Sequence, residues 1–417
     1  MWSRKRFDID YSDLVYGLGA ALSCPPQKRA IIQTELERWW GEDARGAAIA
    51  CLSVRSGWDL LLQALNLPPG SEVAISALTI PDMIAIVRNQ GLIPVPIDLD
   101  PATMAPDPAS LAKAIGPQTG VILVAHLFGG RANIEPLLAA RDRYGAILVE
   151  DCAQAFTPDY KGHREADVSC FSFGNIKFAT ALGGALLRVR DPQLRDRMSQ
   201  IQSAYPLQDR FTYTTRLLKY MALKALSTRA GFSSLIFLCR RLGIDYDFVL
   251  NQAVRGFPRT ELIPRLRHQP CAPLLTLLSR RLQRYTPARL ASQADLGKTL
   301  VRLLHESGNQ FRVPGTANSP HSHWVVPIVA EDPHAAIASL AQAGFDSTQG
   351  NSMCVVDPPE THPHLVPVNT RSIFEKMVYL PCYPAMNEAA LEQMVRALQA
   401  GYATNATGAI ANSLPLA

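Results

Sequence analysis

Short, wholly apolar runs alternate with longer amphipathic stretches through the first half of the chain. Such runs are typical of strands buried on both faces of a parallel sheet, and the stretches between them have the spacing of helices. The pattern predicts seven strands, at residues 47–54, 72–77, 93–97, 120–127, 146–151, 168–173 and 185–189. It predicts helices between most of them, at residues 57–65, 81–90, 108–115 and 133–144. Repeated strand–helix–strand units indicate an α/β fold whose mostly parallel sheet is covered by helices.

The rest of the pattern divides the chain into four predicted parts. Residues 1–27 form an N-terminal arm, and residues 28–200 form the large α/β domain. Residues 201–287 form a basic, hydrophobic and helical segment, and residues 288–417 form a smaller α+β domain. The small domain is predicted to open with a helix at 288–306 and to contain strands at 323–329 and 377–380.

Composition excludes several classes of protein. The chain has 417 residues, of which 47% are hydrophobic and 18% charged, so it is long enough for two domains with a large core. Its net charge of +5 is small for this length, and it carries no helix-turn-helix, zinc-finger or RNA-binding signature. We therefore expect no nucleic-acid partner.

Cysteine and histidine usage predicts neither disulfides nor a metal. The 8 cysteines contain no Cys-x-x-Cys pair, and several lie in apolar runs, as reduced thiols of a cytoplasmic protein do. The close histidine pairs, His321 with His323 and His362 with His364, lie in loop-like sequence, and we expect them to be solvated.

The N-terminus superficially resembles a secretory signal, because basic residues precede an apolar stretch. Three aspartates, Asp8, Asp10 and Asp13, interrupt that stretch, so we reject the signal. No apolar run reaches the roughly 18 residues of a membrane span.

Candidate chemistry lies at the ends of two predicted strands. Asp151 ends a wholly apolar strand, and Lys177 follows the next β-rich run and precedes Gly183 and Gly184. Functional groups of open α/β sheets usually lie at such strand ends. A lysine amine that forms a Schiff base and a carboxylate that keeps a pyridine nitrogen protonated are what pyridoxal phosphate requires. The pair therefore predicts pyridoxal 5′-phosphate as the cofactor.

The residues around this pair resemble a known family. Phe171-Ser172-Phe173, with Lys177 five residues after Ser172, resembles the lysine motif of the DegT/DnrJ/StrS-type sugar aminotransferases. The stretch 150–155, Glu-Asp-Cys-Ala-Gln-Ala, resembles their acidic motif. Further similarity lies in Arg55-Ser56-Gly57 and in residues 97–100, 125–129 and 380–384, and it fades between residues 195 and 290.

The resemblance implies a fold-type-I transferase with defined site residues. Lys177 would carry the cofactor and move the proton during catalysis, and Asp151 would hold the pyridinium. Ser56 and Gly57, at a strand-to-helix junction, would bind the cofactor phosphate together with the Ser172 hydroxyl, and Trp58 would also contact the cofactor; helix N-termini suit such anions. Gln154 would lie near the cofactor, one helical turn after Asp151.

The sequence also departs from the family. Trp58 stands where a threonine is usual, and Ile80 stands where an aromatic residue normally stacks on the cofactor, so Trp58 or His126 is a candidate to cover that face. The usual Gly-x-Asn-x-Arg segment, whose asparagine reaches the partner subunit's phosphate, is not evident. Asn251 and Gln269 are its candidates.

The predicted function is transfer of an amino group from an amino acid, with glutamate as the expected donor, to a keto sugar. The resemblance implies a nucleotide-linked acceptor, a place in cell-surface polysaccharide or secondary-metabolite biosynthesis, and a homodimer. Two alternatives stay open. One is a non-catalytic relative that binds a ligand, partner protein or membrane as a regulator, and the other is a different fold-type-I enzyme such as a lyase or desulfurase.

A last feature belongs to this sequence rather than to the family. Residues 210–244 contain no Asp or Glu, but they carry seven Lys and Arg residues among apolar ones. This composition is typical of a helix that lies on anionic lipid, which would place the protein at the inner face of the membrane. The same residues also suit a core or dimer interface with solvated charges, or a cradle for a substrate diphosphate.

Overall fold

The computed structural model describes residues 1–4, 7–41, 47–244, 261–308, 311–350 and 352–411. Eleven strands are found in these residues: β1 Ala47–Cys51, β2 Glu72–Ser76, β3 Leu78–Thr79, β4 Ile93–Ile97, β5 Thr119–Ala125, β6 Ile147–Asp151, β7 Val168–Ser172, β8 Ala185–Val189, β9 Val326–Val329, β10 Cys354–Val355 and β11 Met377–Leu380.

The helices of the described residues fall into three groups along the chain. The first group precedes or alternates with the strands of the main sheet: α1 Tyr11–Ser23, α2 Arg29–Gly41, α3 Val54–Leu65, α4 Pro81–Asn89, α5 Pro108–Ala114, α6 Glu135–Tyr144 and α7 Pro192–Ser203. The second group follows the sheet: α8 Arg210–Leu226, α9 Arg229–Arg241, α10 Leu262–Leu266 and α11 Ala272–Gln283. The third group belongs to the C-terminal part: α12 Pro287–Glu306, α13 Pro333–Gln342, α14 Val368–Glu375 and α15 Glu388–Ala411.

The main sheet has seven strands in the order β1-β8-β7-β6-β5-β2-β4. Strands β7, β6, β5, β2 and β4 pair in parallel, whereas β8 runs antiparallel to both of its neighbours. The predicted α/β fold with a mostly parallel seven-stranded sheet is therefore confirmed. The strands 93–97 and 185–189 have their predicted bounds, and the others end within three residues of theirs.

Both faces of the sheet are buried, which explains why its strands are continuous apolar runs. Along β5, Val121 and Leu123 pack in the cluster with α3 and α4, whereas Ile122 and Val124 pack in the cluster with α5 and α6. Because side chains alternate along a strand, each helical layer receives every second residue.

The N-terminal arm is tied to the basic helices by ion pairs. In α11, Arg280 and Arg281 contact the Asp13 carboxylate at 2.9 and 2.6 Å, and Arg289 of α12 contacts Asp8 at 2.6 Å. The Asp13 side chain is 8% exposed. These arginines are therefore structural partners of the arm.

The C-terminal part builds its own apolar cluster around the antiparallel pair β9–β11. The predicted helix at 288–306 is observed as Pro287–Glu306, and the strand at 377–380 is observed at those residues. The predicted strand at 323–329 begins only at Val326, because His323 and Trp324 belong to a loop that packs against the main sheet. The four-part division of the chain stays a prediction.

Candidate active site

The carboxyl ends of three strands meet at one edge of the main sheet. Asp151 ends β6 and Ser172 ends β7, which pair in parallel. Ser172 is level with Ala185 of β8, and Ala185 is level with Cys51, which ends β1. The loop from β1 into α3, the Asp151 carboxylate and the Lys177 loop are thereby brought to the same edge, where open α/β sheets place their sites.

Lys177 lies in a turn beyond this edge and is partly buried. Its Nζ atom lies 3.9 Å from the centre of the Trp324 ring, and the Trp324 Nε1–H donates to the Ile176 carbonyl at 3.1 Å. Burial and, to a smaller extent, the Arg55 guanidinium lower the pKa of Lys177 to about 8, against the Asp151 carboxylate, which raises it. A fraction of the amine is therefore neutral near neutral pH, as a nucleophile requires.

The Asp151 carboxylate is oriented by its own backbone turn. Its Oδ1 atom accepts the Ala153 N–H at 2.9 Å. Burial raises the pKa of Asp151, while the Ala153 N–H and the positive charges of Lys177 and Arg55 act in the opposite direction. The structure thus brings the predicted carboxylate and the predicted lysine into electrostatic contact.

Helix α3 begins three residues earlier than predicted. Ser53 is the N-cap, and its side chain accepts the Ser56 N–H at 3.1 Å. The Ser53 carbonyl accepts the Gly57 N–H at 3.0 Å. The amides of Ser56 and Gly57 are therefore used within the helix.

Two residues of the predicted triplet pack in the interface between α3 and the sheet. Trp58 is fully buried, and its indole N–H donates to the Met83 carbonyl at 3.3 Å. A Cβ atom on Gly57 would lie 2.6 Å from Leu187, which shows how closely α3 packs on β8 at this point. The assignment of Ser56, Gly57 and Trp58 to the cofactor stays a prediction.

The other predicted residues remain near the edge. Ser172 is partly exposed, and its Oγ atom accepts the Gly174 N–H at 3.5 Å. The Gln154 side-chain oxygen accepts the Phe128 N–H at 2.8 Å, which fixes the orientation of the amide. Ile80 is the N-cap of α4, so the position that is aromatic in the family holds an aliphatic side chain here.

His126 is not available to cover a cofactor ring. It is 1% exposed, its Nδ1 accepts the Ala132 N–H, and its Nε2–H donates to Glu150 at 2.8 Å. Glu150 also accepts hydrogen bonds from Tyr160, Ser169 and the His163 amide. Although burial opposes it, these hydrogen bonds lower the pKa of Glu150 to about 2.

Cys152 lies close enough to His126 and Glu150 for the three to form a potential ligand group. Because the Glu150 carboxylate already accepts four hydrogen bonds, we interpret the group as a structural network that holds the end of β6.

Trp324 is a site residue that the sequence pattern did not identify. Gly129 has a φ of +105° and lies in the loop after β5, which approaches the backbone of residues 322–324. A Cβ atom at position 129 would lie 2.5 Å from the Ser322 Oγ atom. His321 and His323 flank this approach with their rings 4.0 Å apart. Burial lowers their pKa values to about 3 and about 4, so the expectation of solvated histidines is wrong for this pair, whereas His364 of the second pair is exposed.

Of the two candidates for the amide that would reach the partner subunit's phosphate, only Gln269 lies in the described residues. Asn251 lies outside the described residues. Gln269 donates from its side chain to the Tyr205 carbonyl at 2.6 Å, so it holds the chain before α8. No signal in the sequence replaces the missing segment.

The donor set at the edge fits pyridoxal phosphate. Lys177 offers an amine with a lowered pKa, and Asp151 offers a carboxylate in electrostatic contact with it. The start of α3 offers a positive dipole end, and Ser172 offers a hydroxyl. Together the fold and this constellation are typical of fold-type-I pyridoxal-phosphate proteins.

Comparison with known proteins agrees with this class. The model of the DegT/DnrJ/EryC1/StrS aminotransferase family matches residues 34–222, the stretch that contains the main sheet. The predicted resemblance is thereby confirmed over the main sheet.

Two curated relatives and one solved structure illustrate the similarity. The chain is 35% identical to the erythromycin biosynthesis sensory transduction protein EryC1 of Saccharopolyspora erythraea, over 40% of this chain and 47% of that protein. It is 32% identical to the UDP-2-acetamido-2-deoxy-3-oxo-D-glucuronate aminotransferase of Pseudomonas aeruginosa, over 51% of this chain and 62% of that protein. The crystal structure of NtdA from Bacillus subtilis, with bound cofactor PMP, has a TM-score of 0.68 at 17% identity and covers 94% of this chain and 82% of its own.

The match thus spans less than two thirds of the length of these curated relatives. At the level of the family, the expected pyridoxal-type cofactor is confirmed by the aminotransferase family match. The NtdA structure shows that a protein with this fold holds the amino form of such a cofactor.

Proposed function

We propose that the protein is a pyridoxal-phosphate-dependent aminotransferase that moves an amino group from an amino acid to a keto sugar. The observation that carries the proposal is the electrostatic pairing of Lys177 with Asp151 at the carboxyl edge of the sheet, with the pKa of Lys177 lowered to about 8. When bound, the cofactor supplies an electron sink for the carbon that carries the amine. The acid–base work falls to residues of the chain.

Each residue has a distinct task in this proposal. Lys177 would hold the cofactor through its neutral amine and would afterwards take up and return the proton at the amino-bearing carbon. Asp151 would hold the ring nitrogen and favour its protonated form. Trp324 covers the Lys177 amine at 3.9 Å and limits the access of water to it.

The acceptor class rests on the relatives. The Pseudomonas aeruginosa protein is described as acting on a UDP-linked keto sugar, and we infer an acceptor of the same chemical class, a nucleotide-linked keto sugar, for this chain. Glutamate is the proposed amino donor. A role in cell-surface polysaccharide or secondary-metabolite biosynthesis follows from that acceptor class.

The visible spectrum of the purified protein tests the proposal. With cofactor bound, the protein should be yellow, and adding glutamate should shift the absorbance as the amino form accumulates. Borohydride should then fix the cofactor to Lys177 in the untreated protein, as located by peptide mass spectrometry. Lys177→Ala should retain non-covalent cofactor and lose turnover. A protein that stays colourless after reconstitution, or an adduct on Lys219, contradicts the assignment and favours a non-catalytic relative.

We also propose that the protein works as a homodimer, the commonest symmetric assembly of soluble proteins. Members of the resembled family are expected to complete each site across the dimer interface. Light scattering of the reconstituted protein should give twice the mass of one chain. A monomer that transaminates at full rate rules the dimer out.

A peripheral membrane contact is the second part of the proposed localisation, with the bulk of the protein in the cytoplasm. No helix of the described residues is long and apolar enough to cross a membrane. Helix α8 buries Tyr213, Leu217 and Tyr220 but turns Phe211 and Leu218 outward, with exposed fractions of 73% and 52%.

Helix α9 continues this outward-facing apolar surface. Phe237 and Leu238 are 61% and 54% exposed, and the basic residues Lys219 and Arg241 are exposed beside these helices. A surface with apolar anchors and basic but no acidic residues complements an anionic lipid headgroup layer. We propose that α8 and α9 rest on such a layer.

Sedimentation with vesicles tests this contact. Binding should require anionic lipid, weaken as salt screens the charges, and fall when Lys219, Lys224 and Arg241 are replaced by Gln. Lys113→Gln, an exposed lysine on α5, is the matched control and should leave binding unchanged. Protein that stays in the supernatant at low salt contradicts the membrane contact. A shift in oligomeric state on replacing Phe237 and Leu238 by Ser assigns the surface to a second copy of the chain instead.

A further inference from the structure

The start of α3 combines an anion-binding helix end with a basic side chain. Ser53 caps the helix, Val54 is its first residue and Arg55 its second. The Arg55 side chain is 30% exposed, and its Nε atom lies 2.8 Å from the Asp82 Oδ2 at the start of α4. The guanidinium therefore lies between the N-terminal ends of two helices, both of which attract anions.

Arg55 also acts on both reacting groups of the site. Its charge lowers the pKa of Lys177 and, together with the Ala153 N–H and Lys177, opposes the burial that raises the pKa of Asp151. Burial lowers the pKa of Arg55 itself, and the Asp82 and Asp151 carboxylates oppose that shift. The guanidinium is thus part of the same site as the lysine and the aspartate.

The site needs a cation for a phosphate monoester. Trp58 replaces the threonine that the resemblance leads one to expect, and Ser56 is 5% exposed, with its amide held by the helix cap. Lys177 is assigned to the covalent attachment. A guanidinium matches a phosphate with two parallel N–H donors, which an amine or a hydroxyl does not offer.

We propose that Arg55 binds the phosphate group of the cofactor at the start of α3, in the place where related chains use hydroxyl and amide donors. This inference rests on the proposed function, since it assumes that pyridoxal phosphate is the ligand. Asp82 holds the guanidinium at the edge of the site, and a bound phosphate would share or replace that carboxylate as its partner.

The test compares pyridoxal phosphate with pyridoxal, which has the same ring and aldehyde but no phosphate. Dissociation constants for both are measured by absorbance on the apo protein, on Arg55→Gln, on Arg55→Lys and on Asp82→Asn. Arg55→Gln should reduce the preference for the phosphorylated ligand by about 10- to 100-fold, the range for a charge-assisted pair, and should leave pyridoxal binding within about threefold. Arg55→Lys should lose an intermediate amount, because it keeps the charge but not the paired donors.

Asp82→Asn distinguishes phosphate binding from a purely structural ion pair. If Arg55 binds the phosphate, removing the competing carboxylate keeps or increases the preference for the phosphorylated ligand. If Arg55 only ties α3 to α4, Asp82→Asn and Arg55→Gln weaken both ligands alike, and the inference is overturned. A wild-type protein that binds neither ligand refutes the proposed function rather than this assignment.

A second measurement needs no substitution. Phenylglyoxal modifies accessible arginines, and the modified positions are located by peptide mass spectrometry. Pyridoxal phosphate should protect Arg55 from modification, whereas pyridoxal should not. Equal protection by both ligands, or protection by neither, overturns the inference even if the Arg55→Gln variant does not fold.

Discussion

The titration of Lys177 is the most direct physical consequence of the site. A free lysine side chain has a pKa of 10.5, and burial brings that of Lys177 to about 8. At pH 7 the neutral fraction of the amine then rises from about one in 3,000 to about one in ten, a gain of roughly 300-fold. We therefore expect Lys177 of the apo protein to react with an amine reagent far faster than an exposed lysine.

The assay is competitive labelling with a limiting amount of acetic anhydride between pH 6 and pH 11, read by peptide mass spectrometry, with the exposed Lys113 as internal reference. Labelling of Lys177 should rise about tenfold per pH unit and level off above a midpoint near pH 8.

Two variants should move this midpoint in opposite directions. Asp151→Asn removes the charge that raises the pKa of Lys177, so the midpoint should fall below pH 8. Arg55→Gln removes a charge that lowers the pKa, so the midpoint should rise. A midpoint near 10.5 in the wild-type protein, or shifts of the same sign in both variants, would refute the electrostatic account of the site.

Three further predictions concern the framework of the site. The pKa of Glu150 is about 2 in the folded protein, against an ordinary value of 4.5. Its ionised form therefore contributes roughly 3 kcal/mol to the free energy of unfolding above pH 4.5, and this contribution is lost as the pH falls towards 2. Glu150→Gln should lower the free energy of unfolding at pH 7 and flatten its pH dependence in that window. Arg267→Met should lower the free energy of urea unfolding by about 2–3 kcal/mol, because the fully buried Asp59 carboxylate loses the guanidinium that contacts it at 2.8 Å. Two glutamine side chains still donate hydrogen bonds to that carboxylate in the variant. Gly297→Ala should cost about 1–3 kcal/mol, because its Cβ atom would lie 2.2 Å from the Cβ of His323.

Two of these, Arg267→Met and Gly297→Ala, have a control within the chain. Arg265→Met removes an exposed helical pair with Glu261 and should change stability by less than about 0.5 kcal/mol. Gly19→Ala adds a methyl group where nothing lies within 4 Å and should stabilise α1 slightly. Equal losses in a variant and its control would mean that the named contacts do not carry the effect, and an unchanged acid profile in Glu150→Gln would contradict the pKa argument.

Much of the main sheet was predictable because its strands are buried on both faces. Burial on both sides demands continuous apolar runs, and such runs are visible in the sequence without any knowledge of their neighbours. The positions of Asp151 and Lys177 followed from the same runs, since strand ends are where the chain leaves the core.

The start of α3 shows where local pattern stops being sufficient. Ser53 and Ser56 both precede residues compatible with a helix, and both are good N-cap residues. What selects Ser53 is packing: Gly57 lies against Leu187 of β8, and Trp58 fills the core between α3 and α4. The first turn of the helix therefore begins at Val54 and contains Arg55 for a reason that lies in a strand 130 residues away.

Sequence by itself thus determined the fold class, the succession of strands and helices along the main sheet, and the lysine–aspartate pair, because these depend on local periodicity and on strand ends. The tertiary structure alone decided that Trp324 covers Lys177, that His126 is buried and hydrogen-bonded to Glu150, and that Arg55 faces the site. These contacts join segments distant in the chain, and loop residues such as Trp324 carry no periodic pattern. Their neighbours are set by close packing and by hydrogen bonds between separate elements, which a linear pattern does not encode.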